Sequence, residues 1–389
     1  MAYRNSNLSV LLVGPHPGDR LESIERFIKC LERELSPILH TEVLRPRPAL
    51  SRFAAGKARK WFSYADKFIL FPNELARAAG RFDLVHFCDQ SLAVYLDEHA
   101  SRPQLITCHD LLAIRSARGE FREHRTGFLG RKLQAKILSS LKKADYIACI
   151  SSSTRRDVLR LAEFPEERVR LVPMGPHRPS SAAAPRVANQ RVTKFIPQTP
   201  FILHVGGTQW YKNRRAVVPL FAALRSRASG PLNLVLVGKP PEPEILRLIR
   251  ANNLQDSVLS ISDCTDEDLE QLYSAAKLLL FPSLFEGFGW PILEAQLCGC
   301  PVVTTNREPM TEVAGEGAIF IDPANIEASV GAILPLLKET ATERALRKAA
   351  GFRNAARFST DRMVEAYVAL YTQLAGCRRS SNAEHFAPA

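Results

Sequence analysis

The 389 residues are 46% hydrophobic and 24% charged, enough chain for two domains with buried cores and too apolar for a disordered polymer. Twenty glycines and 26 prolines without a Gly-X-Y period exclude a collagen-like chain. No apolar run approaches the ~20 residues of a membrane-spanning helix, and the net charge of +12 is concentrated in two stretches.

The first apolar run, Leu8–Val13, is strand-sized and empties into Val13-Gly-Pro-His-Pro-Gly18. It reads as a buried first strand, not as a signal peptide. Further strands are expected at Thr41–Leu44, Leu84–Phe87, Gln104–Thr107, Tyr146–Ile150 and Val169–Val172, with helices at Leu21–Leu35 and Arg131–Lys143. The glycine turn does not spell G-x-G-x-x-G, so no dinucleotide fingerprint is present. Gly14 and Gly18 are candidates for closing over a phosphate or an acceptor.

In Leu105-Ile-Thr-Cys-His-Asp-Leu111 a buried strand ends and delivers His109 and Asp110 to the edge of the expected cleft. A neutral imidazole there has the chemistry to assist deprotonation of a hydroxyl. The plain alternative is a structural strand-end histidine. His86, within Val85-His-Phe87, reads as a packed or supporting residue.

Between Val43 and Ala65 stand six basic residues (Arg45, Arg47, Arg52, Lys57, Arg59, Lys60) and no acidic one, followed by Trp61, Phe62 and Tyr64. A second basic stretch runs from Arg115 to Lys143. Such faces are either simply solvated or suited to anionic headgroups and phosphorylated substrates. No nucleic-acid-binding module accompanies the charge, so no nucleic acid is expected as partner. The eight cysteines are scattered, without a C-x-x-C pair and mostly within apolar runs, as expected of buried thiols in a reducing compartment.

From Pro176 to Pro200 the periodicity stops in a Pro-, Ser- and Ala-rich linker, then strand–helix alternation restarts. Strands are expected at Phe201–Val205, Leu232–Val237, Val258–Ile261, Leu278–Phe281, Val302–Thr304 and Ala318–Ile321. Helices are expected at Arg214–Ser226, Pro243–Asn252, Asp266–Ala276, Pro291–Cys298, Ala328–Thr340 and Thr360–Leu374. Alternation of this kind implies an α/β chain of two doubly wound parallel sheets, with ligands beyond the carboxyl ends of the strands and a cleft between the halves. The divisions expected are an N-terminal domain over 1–185, a linker over 186–200, a C-terminal domain over 201–359, a final helix over 360–376 that crosses back, and a disordered tail over 377–389. Asp266-Glu-Asp268 follows Thr265 and leads into a helical pattern, so it reads as a capped, acidic first turn, and no metal is expected.

The most informative string is Phe281-Pro-Ser-Leu-Phe-Glu-Gly-Phe-Gly-Trp-Pro-Ile-Leu-Glu294. A buried strand stops at Pro282, a loop with Gly287 and Gly289 follows, and Pro291 suits the first helical position. That places Glu294 in the first turn, at a helix N-terminus able to receive a diphosphate, where a carboxylate accepts two ribose hydroxyls. Glu286 would stand nearer the reacting centre. A second string, Phe201-Ile-Leu-His-Val-Gly-Gly-Thr-Gln-Trp-Tyr-Lys-Asn-Arg214, runs a strand into Gly206-Gly207, with Lys212 and Asn213 opening a helix. Lys212 is fitted to stabilise charge on a departing diphosphate, with Arg214 as candidate second cation; the plain alternative is that Lys-Asn-Arg is a polar helix start.

These two strings resemble the family 4 glycosyltransferases of GT-B fold, whose signature is a Glu, seven residues and a second Glu. The likeness is close over Phe201–Pro323 and looser before it. It implies two Rossmann-like domains facing a central cleft and a retaining transfer of a hexosyl-type sugar. The donor would be a nucleotide sugar, a substrate and not a cofactor, bound by Gly206, Gly207, Lys212, Asn213, Arg214, Glu286, Gly287, Phe288, Gly289 and Glu294. Glu294 would take the ribose, Glu286 the sugar hydroxyls, and His109 the sugar or acceptor. The acceptor would be a glycan or lipid-linked hydroxyl. The enzyme is expected in the cytoplasm, with peripheral contact to the inner face of an anionic membrane through residues 45–64. Many relatives carry an Arg where this chain has Gly207 or Tyr211, so the two-cation clamp is not spelled out. A GT-B epimerase and a non-catalytic sugar-nucleotide or membrane-binding subunit are the alternatives.

Overall fold

Short runs of leucine, valine and isoleucine, buried on both faces, form the centre of each half. The computed structural model describes residues 8–19, 21–97, 99–121, 124–176 and 197–384, without the side chains of Lys57, Lys60 and 377–384. Two compact units result, one comprising Met1–Arg178 and Thr360–Ala389, the other Pro179–Ser359. Of the expected linker only 197–200 fall within the described residues.

In the first unit β1 (Ser9–Val13), β2 (His40–Leu44), β3 (Leu84–Phe87), β4 (Gln104–Cys108), β5 (Tyr146–Cys149) and β6 (Val169–Leu171) pair in parallel, in the order β2-β1-β3-β4-β5-β6. In the second, β7 (Phe201–Val205), β8 (Asn233–Val237), β9 (Val258–Ile261), β10 (Leu278–Phe281), β11 (Val302–Thr305) and β12 (Ala318–Ile321) pair in parallel, in the order β12-β11-β10-β7-β8-β9. Each order reverses once. The reversal lies between β1 and β3 in the first sheet and between β7 and β10 in the second. At such a point adjacent strands send their connections to opposite faces, which opens a crevice beyond their carboxyl ends.

Every expected strand is present to within about two residues, the usual scatter of such boundaries. The helices were less legible. Gly56–Ala65, Phe71–Ala79, Leu112–Ala117, Ser152–Ala162, Met310–Ala314 and Ala341–Ala355 are all present but unmarked by a long apolar period. Several are short, and Ser152–Ala162 opens with a serine cap, the Ser151 hydroxyl accepting from the Thr154 N–H at 3.2 Å. Thr265 and Asp268 form the expected capped turn as a reciprocal capping box.

The last helix, Thr360–Glu384, continues past Gly376, where the sequence suggested an end and a disordered tail. One internal glycine costs a helix only about 1 kcal/mol, too little to stop it. This helix belongs to the first unit and is anchored there through Tyr367 and Tyr371, both fully buried. The Tyr371 hydroxyl meets His86 Nδ1 at 2.7 Å, His86 Nε2 meets the Thr107 hydroxyl at 2.7 Å, and that hydroxyl meets Tyr367 at 2.9 Å. His86 is thus a packed residue that ties the chain's last helix to β3 and β4.

Candidate functional site

At the switch point of the second unit, two strand exits are fastened to one another. After β7 the chain turns through Gly206 and Gly207, makes a 3-10 turn at Trp210–Lys212, and passes Asn213 in the left-handed region (φ 54°) into the helix Arg214–Arg227. The turn is pressed by its neighbour: a Cβ on Gly238 (φ 129°) would stand 2.3 Å from the Gly206 carbonyl oxygen, so only glycine fits there. After β10, the loop 282–289 is clamped on both sides. The Asn213 amide donates to the Pro282 carbonyl at 3.0 Å, and the Leu284 N–H donates to Tyr211 at 2.7 Å. From β11 the Thr304 and Thr305 hydroxyls donate to Phe281 and Ser283 at 2.8 and 2.7 Å.

The clamps bring Lys212 Nζ to 2.8 Å from Glu286 Oε1 and 2.7 Å from Oε2. The side chains are only 18% and 7% exposed, and the ammonium lies 5.6 Å from the centre of the Phe281 ring. The pair uses two of the three ammonium protons and one lone pair on each carboxylate oxygen, so each partner keeps capacity for a ligand. Two residues 74 apart in sequence are thereby joined across the crevice.

Glu294 sits one residue further into its helix than the sequence suggested. Gly289, at φ 104°, caps the helix Trp290–Leu297, so Trp290 is its first residue, Pro291 its second and Glu294 its fifth. Oε2 of Glu294 accepts from the Tyr273 hydroxyl at 3.0 Å. Burial and the adjoining Glu294 carboxylate hold that phenol well above its ordinary range, so it stays a donor. Sequence reasoning missed Tyr273, because a tyrosine on a helix's apolar face looks like core.

The other expected donor residues divide. Gly206, Gly207, Asn213 and Gly287 are half-buried around the two exits, and Asn213 spends its amide on Pro282. Phe288 is buried edge-on against Phe358. Arg214, the candidate second cation, is turned inward: it is 4% exposed, donates to the Lys239 carbonyl at 2.9 Å and stands 3.6 Å from Glu242. The ammonium at this crevice is that of Lys212, and the guanidinium ties the start of the helix Arg214–Arg227 to the segment after β8.

In the first unit the loops after β1 and β4 carry the remaining candidates. Gly14 donates to the Leu44 carbonyl at 2.9 Å, and Gly18 donates to His16 Nδ1 at 2.9 Å. His109 is 6% exposed and packed edge-on against Phe27. Its Nε2 lies 3.0 Å from the Cys88 carbonyl, which can only accept, so Nε2 carries the proton and Nδ1 the lone pair. Its backbone is fixed by Gln90 and Thr154, at 2.9 and 3.0 Å. Asp110 accepts from the Leu112 N–H at 2.9 Å and so shapes the turn after β4. Among the described residues no group of three or more His, Cys, Asp or Glu is placed to hold a metal ion, and no helix is long and apolar enough to cross a membrane.

Residues 7–176 match the profile of Glycosyltransferase Family 4, and residues 186–352 match that of glycosyl transferases group 1. The chain belongs to the family 4 glycosyltransferases. Among curated members of known identity, O-antigen chain mannosyltransferase B of Escherichia coli is 29% identical over 246 residues, covering 61% of this chain and 64% of that protein. D-inositol 3-phosphate glycosyltransferase of Salinispora tropica is 27% identical over 326 residues, covering 77% and 65%. The matches thus span just under two thirds of these relatives. Of solved structures, sucrose-phosphate synthase from Thermosynechococcus elongatus superposes with TM-score 0.76 at 20% identity, over 95% of this chain and all of that one. Anabaena HepE, crystallised with UDP and glucose, gives 0.73 at 16%, over 94% and 100%. These likenesses establish the GT-B fold for this family 4 chain.

Three of the family 4 chain's histidines are buried and held neutral. Burial, with His109 nearby, lowers His86 to about 3; burial lowers His109 to about 4 against the pull of the Cys88 carbonyl, and His204 to about 4 against that of Leu280. An unfolded histidine binds its proton near pH 6.5. Between those values and about 6.5 the unfolded chain holds more protons than the folded one, so stability is complete above about pH 6.5 and declines as pH falls toward 4. Calorimetric melting temperatures should drop across that window, and His204→Asn should flatten the slope. A melting temperature independent of pH there would contradict the assignment of neutral imidazoles.

Proposed function

We propose that the protein is a retaining, metal-independent glycosyltransferase that moves a hexosyl-type sugar from a nucleotide-diphosphate donor to a hydroxyl acceptor. The observation that carries this reading is the Lys212–Glu286 pair at the β7/β10 switch point, beside the Gly289-capped helix that bears Glu294. A diphosphate at that crevice meets the ammonium and the positive end of the helix. The ribose hydroxyls reach Glu294, whose second oxygen is steadied by Tyr273. The sugar hydroxyls take the remaining lone pairs of Glu286.

As the glycosidic bond breaks, the leaving diphosphate gains negative charge, and Lys212 stabilises it without any reorganisation at that moment. No carboxylate is assigned as nucleophile. Attack from the same face, with the departing diphosphate taking the hydroxyl proton, retains the anomeric configuration. His109, neutral with its Nδ1 lone pair, is assigned to the acceptor or sugar side. The acceptor is a glycan or lipid-linked hydroxyl of a surface polysaccharide, the reaction belongs to the cytoplasm, and the 45–64 stretch touches an anionic membrane. The E. coli mannosyltransferases among the relatives, named for O-antigen chains and serotype, favour that acceptor class.

Four measurements test this. Purified protein given UDP-, GDP-, ADP- and dTDP-sugars should be stabilised thermally by one nucleotide class and hydrolyse it slowly; the product's anomeric proton, followed by NMR, should keep the donor's configuration, and inversion would reject the mechanism. Glu294→Ala should reduce calorimetric affinity for the matching nucleoside diphosphate at least about tenfold, the loss of one charge-assisted bond. Unchanged affinity would remove Glu294 from the nucleotide site.

A further inference from the structure

The first unit carries a cluster of large apolar side chains that no core contact explains. Phe53 is 79% exposed, Trp61 70%, Ile69 66%, Phe128 62% and Leu129 73%. Isolated exposed apolar residues are ordinary, but a contiguous group ringed by charge marks an interaction surface. These five fall in two segments, 50–70 and 128–129, and the topology brings the segments together.

Residues 45–70 follow the carboxyl end of β2. Helix Phe128–Leu141 precedes β5 and runs antiparallel to the strands, so its first residues also lie toward the carboxyl-end rim of the sheet. Helix Phe71–Ala79 and helix Phe128–Leu141 pack on one face, since Phe71, Leu75 and Ala78 share a core with Ile137 and Leu141. Between them runs the connector Gln90–Tyr95, which packs against the second helix, while its Tyr95 touches both Phe68 and Phe71. Trp61, Tyr64, Phe68 and Tyr95 form a continuous aromatic row with ring centres 6.1, 5.9 and 6.5 Å apart. A π-helical stretch over Asp66–Leu70 leaves Phe68, Ile69 and Leu70 all exposed.

The charge around this rim is predominantly positive, with Glu74 standing 3.4 Å from Arg47. Arg47, Arg52 and Arg59 are exposed on the first segment, and Arg125, Arg131, Lys132 and Lys136 on the second. Residues 43–65 and 124–144 contain no acidic residue. Asp66 is buried on the N–H groups of Leu50 and Ser51, and the neighbouring Asp19 is engaged by Lys67 at 2.5 Å. A second copy of so cationic a face would repel the first, whereas aromatic side chains among lysines and arginines suit a headgroup layer over hydrocarbon.

We propose that the first unit docks on an anionic phospholipid bilayer through both segments as one surface, with Phe53, Trp61 and Ile69 forming one inserted prong and Phe128–Leu129 the other. The proposal extends the membrane contact in the reading above, and it rests on that reading only for its consequence, delivery of a lipid-linked acceptor to the exits of β1 and β4. The test uses the full chain without donor: co-sedimentation with phosphatidylcholine vesicles, with and without phosphatidylglycerol. Binding should require phosphatidylglycerol and weaken with salt, and the Trp61 emission should shift to the blue.

Each of the pairs Trp61→Ser/Ile69→Ser and Phe128→Ser/Leu129→Ser should lower vesicle affinity by at least about tenfold, with unchanged melting temperature and unchanged donor binding. Loss with the first pair but none with the second overturns the two-segment surface. So does binding that ignores phosphatidylglycerol, or self-association of vesicle-free protein that buries Trp61. Vesicle binding by a protein inert toward every nucleotide sugar would instead sink the catalytic reading and leave this one standing.

Discussion

The structure of the second unit depends on holding an ammonium and a carboxylate together, largely out of water, at the point where its sheet reverses direction. Partial burial makes such a pair costly to form and more costly to break, because a single buried partner is left without compensation. The surrounding contacts explain how the geometry persists. Asn213, Leu284, Thr304 and Thr305 lock the exits of β7, β10 and β11 to one another, so the charges meet without ordering long flexible loops. Arg214, folded inward onto Lys239 and Glu242, ties the exit of β7 to the segment that follows β8.

The first unit solves a different problem. Its sheet is closed on one side by a helix from the far end of the chain, and that helix is held by a hydrogen-bonded row of His86, Thr107, Tyr367 and Tyr371. The same burial that makes His86 a structural residue makes His109 a neutral one, with a defined tautomer and a backbone pinned by Gln90 and Thr154. A preorganised imidazole is suited to receiving a hydroxyl, and an imidazolium at that depth would not be.

The central strands were legible because both of their faces are buried, which writes continuous apolar runs such as Leu278–Phe281 into the sequence. The Glu286–Glu294 and Lys212 strings were legible as a family signature. What the sequence did not contain was pairing. Nothing in the spacing of Lys212 and Glu286 announces that they bond, since only the crossover order makes β7 and β10 neighbours. Tyr273 was invisible for the same reason, as was the inward turn of Arg214, whose charge pattern reads as solvent-facing. Glu294 was misplaced by one residue because the backbone freedom of Gly289 starts the helix at Trp290, earlier than Pro291 alone suggests.

One titration bears on the central pair most directly. Wild type, Lys212→Met, Glu286→Gln and the double variant are compared by calorimetry with the bare nucleoside diphosphate and with its sugar conjugate. If the ammonium serves the diphosphate and the carboxylate serves the sugar, Lys212→Met weakens both ligands. Glu286→Gln then weakens only the conjugate, and the bare diphosphate binds it at least as well as wild type because the lysine is released. Equal weakening of both ligands by Glu286→Gln, or indifference to Lys212→Met, would contradict the division of labour across the crevice.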